Sequence, residues 1–177
     1  IPSAQSACGM EISMKNLVLI GMPGAGKSTV GIVLAKVLGL KFCDTDLLIQ
    51  SGENMLLQDI INEYGDEYFK KAEENHILMS TYENSVVATG GSAVYGEAAM
   101  RHLKKYGTIV YLYVEPQELK RRLGDTSQRG IAGGGDINSL YKERKPLYEK
   151  YAMVTVDCTN LEIPECVRKI KEKINEL

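Results

Sequence analysis

Apolar positions along the chain alternate between two rhythms. Residues 15–20 form a short run of β-formers bounded by glycine, which predicts a buried strand. After it, Val30, Val33, Leu34, Val37 and Leu38 recur at the spacing of one helical face, and Gly39 is a suitable stop. An extended stretch at 41–43 then leads into a helical turn or two over 47–52. Leu56, Leu57, Ile60 and Ile61 mark an amphipathic helix over 55–64, closed by Gly65. A second helix is predicted over 66–83, with Tyr68, Phe69, Ala72, Ile77 and Leu78 on a ragged apolar side.

The alternation continues to the C-terminus. Strands are predicted at 85–89, 107–114 and 153–157, the second of these being the clearest buried strand in the chain. Helices are predicted over 97–105, from Pro116 to Leu123, over 138–151, and over 164–177 with Val167, Ile170, Ile174 and Leu177 facing inward. Strands alternating with helices imply a three-layer α/β domain around a parallel sheet. Ligands of such sheets bind beyond the carboxyl ends of the strands.

The length of 177 residues suits one domain, taken as 14–177. Residues 1–13 carry no periodicity and lack the charged start and apolar core of a secretory signal, so they are expected to be a tail outside the fold. A net charge of −2 gives no overall basic field for nucleic acid or an anionic membrane, so any anion site must be built locally. No apolar run is long enough to span a bilayer. The four cysteines, Cys8, Cys43, Cys158 and Cys166, show no metal spacing and are expected to be free thiols. The expectation is a cytoplasmic monomer with no nucleic-acid or membrane partner.

The chemistry is concentrated after the predicted strands. Gly21-Met22-Pro23-Gly24-Ala25-Gly26-Lys27-Ser28 fits the phosphate-binding loop G-x-x-x-x-G-K-[ST], with the strand before it and the helix after it that the motif requires. Its glycines let backbone N–H groups curl around phosphate oxygens, and the helix N-terminus favours an anion. Lys27 is expected on the β- and γ-phosphates and Ser28 on a magnesium ion. Asp44 and Asp46, at the next strand end, can serve magnesium and a substrate hydroxyl, although an aspartate before a helix is also a favoured N-cap. Gly90-Gly91-Ser92 follows the third strand and offers bare backbone to a ligand. The glycine-heavy stretch at about 124–136 carries Arg129 and suits a lid that closes over the γ-phosphate. Lys142, Arg144 and Lys145 form a basic cluster, while His76 and His102 have no partner by spacing.

Together these pieces resemble the shikimate kinase family across nearly all of residues 15–177. The phosphate loop through Thr29, the D-[ST]-D motif at Asp44-Thr45-Asp46, the stretch from Ile60 to Glu73, and Glu143-Arg144-Lys145-Pro146-Leu147-Tyr148 all match in order. The resemblance implies a P-loop kinase fold with a five-stranded parallel sheet, with ATP as co-substrate and Mg²⁺ as cofactor. It places Gly24, Ala25, Gly26, Lys27, Ser28, Thr29, Arg122 and Arg129 on the nucleotide, with Arg122 against adenine. Ser28 and Asp44 serve the metal. Asp46, Lys70, Glu73, Gly90, Gly91 and Arg144 hold the acceptor, and Lys27, Asp46 and Arg129 are the catalytic set.

Three positions depart from the family pattern. Lys70 replaces an arginine, keeping the charge but losing the fork that grips a carboxylate. Ser92 replaces a third glycine and puts a side chain at the substrate's edge. Gly130 replaces a proline after the lid arginine and should loosen the lid. The reading is phosphorylation of the 3-hydroxyl of shikimate. A kinase of the same fold for another hydroxy acid, sugar acid or nucleotide, or a nucleotide-binding module without acceptor chemistry, would share the phosphate loop.

Overall fold

Strand β1 (Asn16–Ile20) is buried at every position, which the apolar run Leu17 to Ile20 requires of a strand covered on both faces. In the computed structural model, which describes residues 16–124 and 136–177, β1 is the middle strand of a five-stranded parallel sheet. Its neighbours are β3 (Ser85–Ala88) on one side and β4 (Gly107–Tyr113) on the other. The edges are β2 (Lys41–Asp44), paired with β3, and β5 (Val154–Asp157), paired with β4. Both edges are less buried than the centre, and β5 alternates buried and exposed residues.

Seven α-helices connect and cover the strands among the described residues. They are α1 (Lys27–Leu38), α2 (Thr45–Glu53), α3 (Leu57–Met79), α4 (Glu97–Tyr106), α5 (Pro116–Leu123), α6 (Ile137–Tyr151) and α7 (Ile163–Asn175). The chain steps outward from β1 to β2 but back across the sheet from β3 to β4. Right-handed crossovers therefore put α1 on one face and α4 with α6 on the other, and α7 packs beside α1. The main core lies between these layers. A satellite core of Ile49, Ile60 and Phe69 fastens α2 to α3 beside the carboxyl edge of the sheet.

Several details differ from the sequence pattern for physical reasons. The two helices predicted on either side of Gly65 run on as α3, yet Gly65 has φ 82° and ψ 170°, so the helical path does break there. α3 ends at Met79, four residues before the predicted end, because Tyr82 must tuck into the core as the chain turns toward β3. On α1, Val30 and Leu34 are buried but Val37 is half-exposed; Gly31 and Ala35 complete the inward face instead. A Cβ at Gly31 would come 2.7 Å from the Phe42 ring, so glycine allows α1 to lie close against β2. Tyr68, Leu78 and Leu177 are exposed rather than inward-facing.

Buried Asn16 organises the amino edge of the sheet. Its Nδ2 donates to the carbonyls of Tyr82 and Tyr106 at 2.7 and 2.9 Å, and its Oδ1 accepts from Ser85 N at 2.9 Å. This three-bond tie holds the starts of β3 and β4 beside β1 and leaves the side-chain amide satisfied. The expected tail at 1–13, and the lid apart from Gly124 and Asp136, lie outside the described residues.

Candidate active site

The loop after β1 is shaped by glycine at the point where the helix starts. Gly26 caps α1 with φ 93°, a left-handed backbone that a side chain would strain. The turn leaves the N-terminus of α1 open toward the cleft. Lys27 is buried, and its Nζ donates to the loop carbonyls of Gly21 and Met22 at 2.8 and 2.9 Å. Burial pulls its pKa down to about 8, opposed by nearby Asp46, Asp44 and Glu73 and aided by Arg144. The ammonium is thus charged at neutral pH but poorly solvated, which favours an anion in the loop.

Asp44 caps α2, as its position before a helix allows, and also faces the phosphate loop. Its Oδ1 accepts from Asp46 N at 3.0 Å and caps α2, while its Oδ2 accepts from Ser28 Oγ at 2.6 Å. A carboxylate and a hydroxyl in contact at the mouth of a phosphate loop are hard oxygen donors of the kind Mg²⁺ takes beside phosphates. Among the described residues no group of three or more His, Cys, Asp or Glu side chains is placed to hold a metal.

One cleft of about 350 Å³ runs from the phosphate loop to the loop after β3 and to α6. It is lined by Gly24, Gly26, Lys27, Ser28 and Thr29 from the loop, and by Asp46, Gly90, Gly91, Ser92, Arg122 and Arg144 from later elements. A second hollow continues past Ala25, Thr29 and Arg122 toward Asn160 and Cys166. Arg122 stands between the two. Its Nε donates to Glu118 Oε1 at 2.7 Å and its Nη2 to the Cys158 carbonyl at 3.1 Å. Cys43, Cys158 and Cys166 are free thiols; Cys8 lies outside the described residues.

Within this cleft, Asp46 is pushed up to about 6, first by burial and then by the charge of Asp44, with Lys27 pulling the other way. Glu73 is almost wholly buried and is raised to about 7, chiefly by desolvation. Its Oε2 accepts from Ser92 Oγ at 2.5 Å, while its Oε1 has no protein partner. A Cβ at Gly90 would run into Glu73 Oε1 and lie 2.8 Å from Asp46 Oδ1. A Cβ at Gly91 would lie 2.9 Å from Arg144 Nη1. The two glycines therefore mark the floor on which two carboxyls and a buried guanidinium converge.

Lys70 is placed differently from Asp46 and Arg144. It does not line the cleft; its Nζ sits 3.0 Å from Glu67 Oε1 and 4.8 Å from the centroid of the Tyr95 ring. Arg129 and Gly130 lie outside the described residues. Arg144 is on the cleft wall, unlike its neighbours Lys142 and Lys145, which are on the outer side of α6. His76 pairs with Glu53 at 2.9 Å and His102 with the Ser80 carbonyl at 2.9 Å, both away from the cleft.

Some contributors carry little signal in the sequence. Thr45, between the two aspartates, accepts from Gly90 N at 3.1 Å and ties β2 to the loop after β3. Tyr148 donates to the Gly91 carbonyl at 2.7 Å. Tyr95 bonds to Arg144 and Glu143. For Thr45 and Tyr95 the only sequence signal is a hydroxyl near a motif.

Comparison with known proteins gives a consistent picture. The family profile described as shikimate kinase matches residues 23–175. The chain is 35% identical over 162 residues to a shikimate kinase of Caldanaerobacter subterraneus subsp. tengcongensis, covering 89% of this chain and 94% of the relative. It is 32% identical over 166 residues to a shikimate kinase of Bacillus anthracis, covering 92% of this chain and all of the relative. The structure superposes on shikimate kinase from Acinetobacter baumannii in complex with shikimate, with a TM-score of 0.86 at 28% identity, covering 93% of this chain and 94% of that one.

Proposed function

The chain belongs to the shikimate kinase family, and from that membership we propose that it transfers the γ-phosphoryl group of ATP to the 3-hydroxyl of shikimate with the residue roles set out here. The observation that carries the assignment of roles is the placing of Asp46 and Arg144 on a cleft whose other wall is the phosphate loop with Lys27, with Glu73 buried against Gly90.

The open backbone of the loop and the N-terminus of α1 bind the phosphates, and Lys27 adds a charge that the incoming anion restores to full strength. Ser28 and Asp44 would hold Mg²⁺, which supplies charge neutralisation on the phosphates when bound. Asp46 orients the acceptor hydroxyl. A carboxyl near 6 is ionised at neutral pH yet basic enough to take the hydroxyl proton as the new P–O bond forms. Arg144 meets the acceptor's carboxylate from the far end of the cleft. Glu73 offers its partnerless Oε1 to a ring hydroxyl. Arg122 flanks the base, and the resemblance alone assigns Arg129, outside the described residues, to charge neutralisation on the transferring group. Phosphoryl transfer depends on such positioning and charge stabilisation more than on covalent help from the protein. The free thiols and the demand for ATP suit the cytoplasm.

The test is ADP release measured with shikimate, gluconate and nucleoside monophosphates offered in turn. Shikimate is expected to drive turnover well above the ATPase background. No rate with shikimate alongside a clear rate with another acceptor would overturn the assignment.

A further inference from the structure

Tyr95 plays no part in the roles above, yet it touches Arg144 on the cleft wall and also Lys70, which does not itself line the cleft. It ends the short 3₁₀ turn Ala93–Tyr95 that follows the Gly90-Gly91-Ser92 loop. Its ring centroid lies 4.8 Å from Lys70 Nζ and 5.2 Å from Arg144 Cζ. Its hydroxyl accepts from Arg144 Nε at 3.2 Å and donates to Glu143 Oε1 at 2.7 Å.

We propose that Tyr95 is a positioning residue for acceptor recognition, orienting Arg144 on the cleft wall toward a carboxylate-bearing acceptor and keeping the charge of Lys70 against the same ring. The proposal rests on the acceptor assignment made above.

The physical argument has three parts. A guanidinium is planar, so a bond to its Nε fixes the orientation of the whole group. A lysine is a flexible point charge without that fork, and an aromatic face is one of the few things that can confine it. Glu143 accepts the phenol proton, which makes the phenol oxygen a better acceptor for Arg144 through hydrogen-bond cooperativity. A wholly aliphatic side chain at position 95 would still fill space against α6 but would lose all three effects. Arg144 would keep its contact with the Tyr148 hydroxyl but lose the bond at Nε and the ring face beside its guanidinium, and Lys70 would be left to Glu67 and solvent.

The experiment compares shikimate with its methyl ester as acceptors for the full chain, in wild type, Tyr95→Phe and Tyr95→Leu, by ADP release. The readout is the ratio of kcat/KM for acid over ester, with KM for ATP measured alongside. Tyr95→Leu is expected to lower the acid/ester ratio by about tenfold or more through KM for the acid, with KM for ATP within about twofold. Tyr95→Phe, which keeps the ring faces, is expected to fall between it and wild type. An unchanged acid/ester ratio in Tyr95→Leu, with normal wild-type turnover of shikimate, overturns this inference alone. An equal loss for acid, ester and ATP also overturns it, because that pattern is general loosening. A wild type that neither turns over nor binds shikimate overturns the acceptor assignment and this inference with it.

Discussion

Glu73→Gln should remove a defined part of the protein's pH-dependent stability. Glu73 is buried, has one oxygen satisfied by Ser92 and the other without a protein partner, and is held at about 7 against an ordinary 4.5. The folded state therefore binds a proton more tightly than the unfolded state does. Stability at this site is fully present below the unfolded value and is lost as pH rises through the folded one. Between about pH 5 and about pH 8 the linkage relation gives a loss of roughly 2–3 kcal/mol from this carboxyl. Glutamine keeps the shape and an acceptor for Ser92 but cannot ionise. Urea unfolding without nucleotide or acceptor, at both pH values, should show wild type losing about that much more than Glu73→Gln. Asp46, raised to about 6, adds a similar trend to both proteins, so the difference between their slopes is the quantity to read. Parallel dependences, within about 0.5 kcal/mol, would refute the claim that burial of this carboxyl is opposed to its charge.

Asp46→Asn should abolish most shikimate-dependent turnover, by about 100-fold or more, while leaving ATP binding by calorimetry nearly unchanged; retained turnover would deny Asp46 its role. In wild type, kcat/KM for shikimate should fall as pH drops through about 6, where Asp46 gains its proton; a profile flat through that region would count against ionised Asp46 as the working form. Asp44→Ala should cost about 1 kcal/mol of stability by removing the α2 cap and should raise the Mg²⁺ concentration needed for half-maximal rate; a loss of stability with unchanged Mg²⁺ dependence would make Asp44 a cap only. Gly31→Ala should destabilise the fold by about 1–3 kcal/mol despite alanine's better helix propensity, because its Cβ meets the Phe42 ring; a gain in melting temperature would show that α1 can shift at little cost.

The order of elements and the phosphate loop were legible in the sequence because each depends on residues close together in the chain. Period-two and period-3.6 apolar patterns report the face an element buries, and the break at Gly65 followed from a single residue type. The loop motif carries its own geometry, since its glycines, its lysine and the helix start lie within a few residues of one another. Asp44 and Asp46 were legible for the same reason, standing at a strand end where the sheet directs its ligands.

Tertiary structure decided what depends on contacts between distant segments. Gly31 and Ala35, rather than Val37, face the sheet because Phe42 on β2 sets how close α1 can lie. Asn16 joins residues more than sixty positions away, and no local pattern marks that role. The raised pKa values of Asp46 and Glu73 exist only because folding strips both carboxyls of water and sets a like charge beside each, Asp44 beside Asp46 and Asp46 beside Glu73, which outweighs the pull of the buried cations. Tyr95 gains its partners only when α3 and α6 close on either side of it. Local chemistry is written in neighbouring residues, whereas burial and charge pairing are properties of the packed chain.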